Sequence, residues 1–162
     1  RLESGESLLE FQDVSPSTLV EEAMRQFSSI AGESEIKLIS NIPDDLTEVS
    51  VDPEKIDHVF TNLISNAVKW TLPGGTITVK VWADDDIVWF SISDTGHGIE
   101  PEHLPHIFER FFKTDPSRSL VGTGLGLSIA RHIVDAHKGV ISATSTLGEG
   151  SEFAFSVRSS KS

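Results

Sequence analysis

Three glycines at every second position, Gly122, Gly124 and Gly126, run straight into the apolar-periodic stretch LSIARHIVDAH. Glycines that open a helix leave unpaired N–H groups and the positive end of the helix dipole free to hold an anion. Two common phosphate-binding folds use this device, and the spacing excludes both. The dinucleotide fingerprint needs its third glycine one residue later and a strand immediately before it, where this chain has the polar KTDPSRS. A P-loop needs a lysine and a hydroxyl residue after its last glycine, whereas Leu127 and Ser128 follow Gly126. The glycines therefore suggest phosphate without naming the fold that holds it.

A chain of 162 residues is the size of one domain and can bury one substantial core. Its formal charge of -12, from 13 basic and 25 acidic residues, argues against nucleic acid, because neutralising a phosphate backbone needs a clustered basic surface. The absence of cysteine removes disulfides, thiol catalysis and thiolate metal sites. No apolar run approaches the roughly 20 residues that cross a bilayer, and no signal peptide is expected from the residues read. The chain begins at Arg1, and the expectation is a soluble piece of something longer.

Helices and strands alternate along the sequence. RLESGESLLEFQ has the look of a frayed helix end and linker. Ser15 as cap, Pro16 in the first turn, and Leu19, Val20, Ala23, Phe27 and Ile30 at helical spacing predict a first helix. EIKLISNIP and LTEVSV read as short strands. Asp52 and Pro53 open a second helix that runs to about Trp70 and closes at TLPGG. TITVKVWADDDIVWFSIS reads as a hairpin around the acidic turn Asp84 to Asp86. A short helix is expected after DTGHGIEPEHLPHIF, followed by the polar loop KTDPSRSLV, the glycine-opened helix and a closing hairpin, GVISATSTLGEGSEFAFSV. The late hairpins imply a mixed rather than a purely parallel sheet.

The second helix carries two stripes. Ile56, Val59, Phe60, Leu63, Ile64 and Ala67 form a broad apolar face, and Lys55, His58, Asn62, Asn66 and Lys69 line the other. A polar stripe is ordinarily a solvated face. Two asparagines at i and i+4, however, cost helix propensity with no charge pairing in return. An amide oxygen is a hard, neutral ligand suited to a Mg2+ ion that already carries phosphate oxygens. Asp94 leaves a strand just where Gly96 and Gly98 allow a backbone to approach a ligand closely, and its carboxylate could accept from an exocyclic amine. Equally, a D-x-G-x-G could be a strand-ending turn. FERFFK, Phe108 to Lys113, reads either as core aromatics or as the anchor of a basic strap, with Lys113 and Arg118, over a triphosphate. His103 and His106 have helical spacing, but with no acidic or thiolate set beside them they read as surface residues.

NLISNAVKW, DTGHGI, FERFFK and GTGLGLSIARHIVDAHKG, in that order and spacing, resemble the N box, first glycine box, F box and second glycine box of the catalytic ATP-binding domain of bacterial sensor histidine kinases. The resemblance runs from about Ser15 to Val157. RLESGESLLEF resembles the end of that family's dimerisation hairpin, which divides the chain into residues 1–13 and a catalytic domain, 14–162. The implied fold is an α/β (α+β) two-layer sandwich: a mixed, mostly antiparallel sheet covered on one face by helices, with a mobile ATP lid over 114–121. By matching position, Asn66 would ligate Mg2+, Asn62 would support the phosphate site, and Lys69 would contact phosphates and act with Asn66 in catalysis. Asp94 would bind the adenine amine. Gly96, Gly98, Gly122, Gly124 and Gly126 would shape the pocket and the lid hinge, and Ile99, Phe108, Arg110, Lys113, Arg118, Thr123, Leu125 and Leu127 would complete the ATP site. Trp70 stands where the family commonly has tyrosine or phenylalanine, beside the nucleotide.

The same nucleotide fold resembles gyrase, the MutL repair proteins and a heat-shock chaperone. There a glutamate one turn before the metal-binding asparagine orients the attacking water; here that position is Asn62. The resemblance thus implies ATP held without efficient hydrolysis, for transfer to a positioned acceptor. No histidine here has the family's acceptor pattern, H-E-L-R-T-P, since Val59 follows His58, Gly98 follows His97 and Leu104 follows His103. The acceptor is expected upstream, on a dimerisation domain that makes the intact kinase a homodimer. A response regulator is the expected partner, nucleic acid is not, and the parent is expected to be a membrane-anchored sensor with this part in the cytoplasm. The competing reading is a degenerate module that binds ATP, or only a partner protein, without catalysis.

Overall fold

Two caps, each followed by proline, start the long helices. The computed structural model describes residues 8–110 and 126–161. Ser15 Oγ accepts the Ser17 N–H at 3.2 Å to begin α1, Pro16–Glu33. Asp52 Oδ1 accepts the Lys55 N–H at 3.2 Å to begin α2, Pro53–Trp70. Each satisfies one of the donors a helix start leaves orphaned, and proline in the first turn has no donor to lose. The apolar stripe of α1 is buried through Phe27 but ends on Ala31. Ile30, expected in the core, is 47% exposed. At about 100° per residue Ala31 returns to within about 40° of Phe27, while Ile30 swings about 60° to the other side, away from the sheet.

Strand β1, Gln12–Val14, pairs antiparallel with β3, Val49–Val51. It lies where the sequence reads as helix end and linker, and it straddles the expected boundary at 13/14. The main sheet comprises β2, Lys37–Asn41; β4, Thr76–Asp84; β5, Ile87–Asp94; β6, Ile141–Thr146; and β7, Gly150–Arg158, in the order β2-β4-β5-β7-β6. Only the β2–β4 pair is parallel. Asp85, with φ 57°, turns the β4–β5 hairpin within the acidic tip. The short helix expected after Phe108 occurs earlier, as a 3-10 turn over Leu104–His106 whose start is held by the Glu100 carbonyl. The last helix, α3, spans Gly126–Ala136.

The helices cover one face of the sheet. Alternation along β4 and β5 sends Val79, Val81, Val88, Phe90 and Ile92 inward, and all are buried. Trp82 and Trp89 face outward as a stacked cross-strand pair at 6.2 Å. One packed and one open face is the arrangement that an antiparallel sheet permits. At the centre of the core, Phe60 of α2 meets Phe90 and Phe155 edge-on at 5.5 and 5.3 Å, while those two stack on each other at 5.2 Å. Gly139 lets the chain leaving α3 run against β7: a Cβ there would stand 2.0 Å from the Ser156 carbonyl oxygen.

Phe60→Ala is expected to lower unfolding free energy by about 3–5 kcal/mol, because the three-ring contact cannot close over the cavity. Urea denaturation followed by tryptophan fluorescence measures it, and a loss below about 1 kcal/mol would show that the core repacks.

Candidate functional site

The polar face of α2 points at the start of α3. A Cβ on Gly126 would lie 3.7 Å from Asn62 Oδ1, so the asparagine amide stands beside the first residue of that helix. Asn62 Nδ2 is buried and has no hydrogen-bond partner among the described residues. An amide donor left so costs about 1–3 kcal/mol, which suits a corner built to receive an acceptor brought by something else. Asn66 lies half-buried one turn further along the same face, and Lys69 is exposed in the last turn.

Past the end of α2 the chain meets the loop after β5. Asp94 is buried, and its Oδ1 accepts the Gly96 N–H at 2.8 Å. Burial raises its carboxyl pKa above the ordinary value, against the opposing pull of the Gly96 and Ser151 N–H groups and of His97. Gly96 is required by closeness: a Cβ would stand 2.5 Å from the Trp70 carbonyl oxygen and 2.9 Å from Asp94 Oδ1. Gly98, with φ 80°, runs equally close to the Thr146 carbonyl. A recess of about 280 Å³ opens beside Asp94, lined also by Ser145, Thr146, Glu149, Gly150 and Ser151.

Ser145 and Ser151 are polar residues at this recess that the sequence reading misses. Ser145 Oγ accepts the Ile99 N–H at 2.7 Å and donates to the Gly150 carbonyl at 3.0 Å, and it lies 3.0 Å from Ser151 Oγ. Ser151 faces Asp94 across the ladder. A further glycine pair, Gly148 and Gly150, marks the spot in the sequence. Gly150 has φ 135° and passes so near Asp94 that a Cβ would sit 2.0 Å from its carbonyl oxygen.

Of the other expected site residues, several are placed by packing. Trp70 is half-buried between His97 at 6.0 Å and Phe153 at 6.3 Å, and Phe108 meets Phe153 edge-on at 6.0 Å. Ile99 is in the core, and Leu127 packs against it. Arg110 is exposed at the end of its described stretch. The lid over 114–121, with Lys113, Arg118, Gly122, Thr123, Gly124 and Leu125, lies outside the described residues. One expectation needs correcting: His103 does have acidic company. The turn after Ile99 brings Glu100 and Glu102 to it, with ligand atoms within 4.8 Å of one another. Both carboxylates are exposed, and that of Glu100 lies 3.3 Å from His103 Nδ1.

A family model described as histidine kinase-, DNA gyrase B-, and HSP90-like ATPase matches residues 51–161. The adaptive-response sensory kinase SasA of Synechococcus elongatus is 38% identical over 156 residues, covering 95% of this chain and 40% of SasA. The chain spans less than half the length of the curated relatives it matches. Among solved structures, full-length ShkA in complex with AMPPNP is similar with a TM-score of 0.86 at 29% identity, covering 95% of this chain and 32% of ShkA. The catalytic domain of the histidine kinase ThkA is similar at 0.83 and 29%, covering 93% of this chain and 97% of that one. ThkA in complex with the response regulator TrrA is similar at 0.82 and 28%, covering 97% and 44%.

The raised pKa of Asp94 means that the folded chain holds this proton more tightly than the unfolded one does. Its contribution to stability is complete below the unfolded pKa and is lost as pH rises through the folded pKa. Asp94→Asn is therefore expected to melt at or above the wild-type temperature at neutral pH, with the difference shrinking as pH falls toward about 4. Scanning calorimetry tests this. A variant clearly less stable at neutral pH would mean that the two backbone donors outweigh burial.

Proposed function

Since the chain belongs to the histidine kinase-, DNA gyrase B- and HSP90-like ATPase family, we propose that it is the catalytic ATP-binding domain of a two-component sensor kinase, which binds Mg-ATP and donates the γ-phosphoryl group to a histidine on a dimerisation domain outside this chain. The observation that carries this reading is the pairing of two unlike corners along one helix. At Trp70 the end of α2 abuts the loop of a buried carboxylate, and at Asn62 an amide donor with no partner among the described residues meets the start of α3. Eight residues of helix set them about 12 Å apart. A ligand bridging them needs a hydrogen-bond donor at one end and anionic oxygens at the other. Adenine's amine and a triphosphate supply these.

In this reading Asp94, held by Gly96 and Ser151, accepts from the adenine amine. Asn62 Nδ2 donates to a phosphate oxygen, and the positive end of the α3 dipole adds to the attraction. The Asn66 amide oxygen is the Mg2+ ligand; being neutral, it leaves the ion's charge to offset that of the phosphates. Lys69, and from the sequence Lys113, Arg118, Gly122, Thr123, Gly124 and Leu125, complete the phosphate contacts. Position 62 offers an amide where a water-activating base would need a carboxylate, so this position supplies no general base for hydrolysis. Positioning an external acceptor is then the route to transfer. A response regulator as downstream partner is supported by the likeness to ThkA in its complex with TrrA. Among the described residues no helix is long and apolar enough to cross a membrane, and the anchoring of the parent is proposed from the resemblance alone.

Asp94→Asn is expected to weaken ATP binding by about 1–3 kcal/mol, since an amide cannot serve the adenine amine as two-sided acceptor. Calorimetric titration showing unchanged affinity would remove Asp94 from the site. Asn66→Ala is expected to fold normally and to lose the Mg2+ dependence of binding; a dependence equal to the wild type's would remove Asn66.

Incubated alone with γ-labelled ATP, the chain is expected to release negligible phosphate and to acquire no stable label. Adding the parent's dimerisation hairpin as a separate polypeptide should produce acid-labile, base-stable phosphohistidine on that hairpin, weakly because the effective concentration of the covalent link is gone. Brisk phosphate release without the hairpin, or stoichiometric label on this chain, would point instead to an ATPase or a self-contained kinase.

A further inference from the structure

Far from Asn62, the same two helices are joined by a buried polar contact that the nucleotide reading does not use. His137 follows α3 and is 3% exposed. Its Nδ1 lies 2.8 Å from the Ile133 carbonyl, which can only accept, so Nδ1 carries the proton. Nε2 is then the acceptor for the Asp52 N–H at 3.1 Å. Asp52 caps α2 with Oδ1 and takes the Glu10 N–H with Oδ2 at 3.0 Å. Phe11, next along, sets its ring edge-on to His137 at 5.4 Å. One carboxylate and one imidazole thus gather the start of α2, the end of α3 and the chain arriving from upstream.

The geometry makes this contact a gauge of position. From Asp52 to Asn62 along α2 is about 15 Å, and from Gly126 to His137 along α3 is about 16 Å. Because Gly126 stands at Asn62 and His137 at Asp52, the helices lie antiparallel and are matched at both ends. Sliding α3 along α2 would break the His137 contact and carry Gly126 away from Asn62 together. The arriving segment is held by a short ladder. Its ladder, β1 with β3, is three residues long, and Phe11 is 52% exposed.

We propose that His137 is a positioning residue, which with Asp52 and the docked Glu10–Phe11 segment sets the axial register of α3 against α2 and so links the seating of the upstream chain to the shape of the phosphate corner. This rests on the nucleotide reading above. Coupling of this kind is reciprocal: if docking the segment favours nucleotide, nucleotide must favour docking.

The test uses the whole chain, with Mg-AMPPNP as probe, and compares the wild type with three variants in affinity and melting temperature, beside hydrogen exchange of the wild type. His137→Gln retains an acceptor toward the Asp52 N–H, His137→Asn retains only the donor toward Ile133, and Phe11→Ser loosens the segment at a half-exposed position. Affinity by calorimetry is expected to fall about tenfold in His137→Asn and several-fold in Phe11→Ser, and to stay within about twofold of wild type in His137→Gln. Exchange of the Glu10 amide in the wild type is expected to slow several-fold on adding the nucleotide. If all three variants lose affinity in step with their melting temperatures, or none loses any, or Glu10 exchange ignores the nucleotide, His137 is a packing residue and the proposal fails while the nucleotide reading stands. If the wild type binds no nucleotide, both fall.

Discussion

The burial of one face of α2 fixes everything around it. Ile56, Val59, Phe60, Leu63, Ile64 and Ala67 are all 2% exposed or less, and their removal from water is worth on the order of 10 kcal/mol, comparable to the whole net stability of a domain. A helix so committed cannot roll, because a turn of one residue would swing that face about 100° out of the core. Its opposite face is therefore rigid by default. Asn62, Asn66 and Lys69 are thus carried on a helix whose orientation the core fixes, as a site built for geometry requires.

Several penalties lie on the same wall. Asn62 carries a buried donor without a partner among the described residues, and Asp94 carries a carboxylate whose charge burial disfavours. Close backbone approaches at Gly96, Gly98 and Gly150 add positions where no side chain fits. A protein optimised only for folding would relieve these at small cost. Their clustering along α2 and the loops it touches is the physical reason to read this wall as the working part of the domain.

What the sequence disclosed and what it hid follow from the range of the forces involved. α2 was readable to the residue at both ends because its cap, first-turn proline and stripe are local signals. The central hairpins were readable because alternation is local too. β1 was not, since three residues pair only because β3 lies beside them. Ile30 and Ala31 exchanged places because a stripe fixes a face only to within a residue's rotation. Ser145 and Ser151 reach Asp94 through ladder register, and His137 reaches Asp52 across 85 positions of chain. Such partners have no signature until the fold exists. The candidate ATP residues from Asn62 to Ile99 were legible only as four boxes in register, each being weak alone.

The central ladder has a further consequence, for how the domain assembles. β5 pairs on one side with β4, its hairpin neighbour, and on the other with β7, so that Ile87 meets Arg158 and Asp94 meets Ser151. That second ladder closes a long loop through α3, and loop closure must be met before the contacts reward it. The β4–β5 and β6–β7 hairpins can form on their own within microseconds. Joining them is the slow event. Until it occurs the edge of β5 is a bare row of backbone donors and acceptors, and the nascent chain is most open to pairing with another copy of itself. The same logarithmic cost works in the chain's favour afterwards: doubling the connection between β5 and α3 would cost only about 0.6 kcal/mol. The stability of the sheet thus sets little limit on the length of the segment ahead of the glycine ladder.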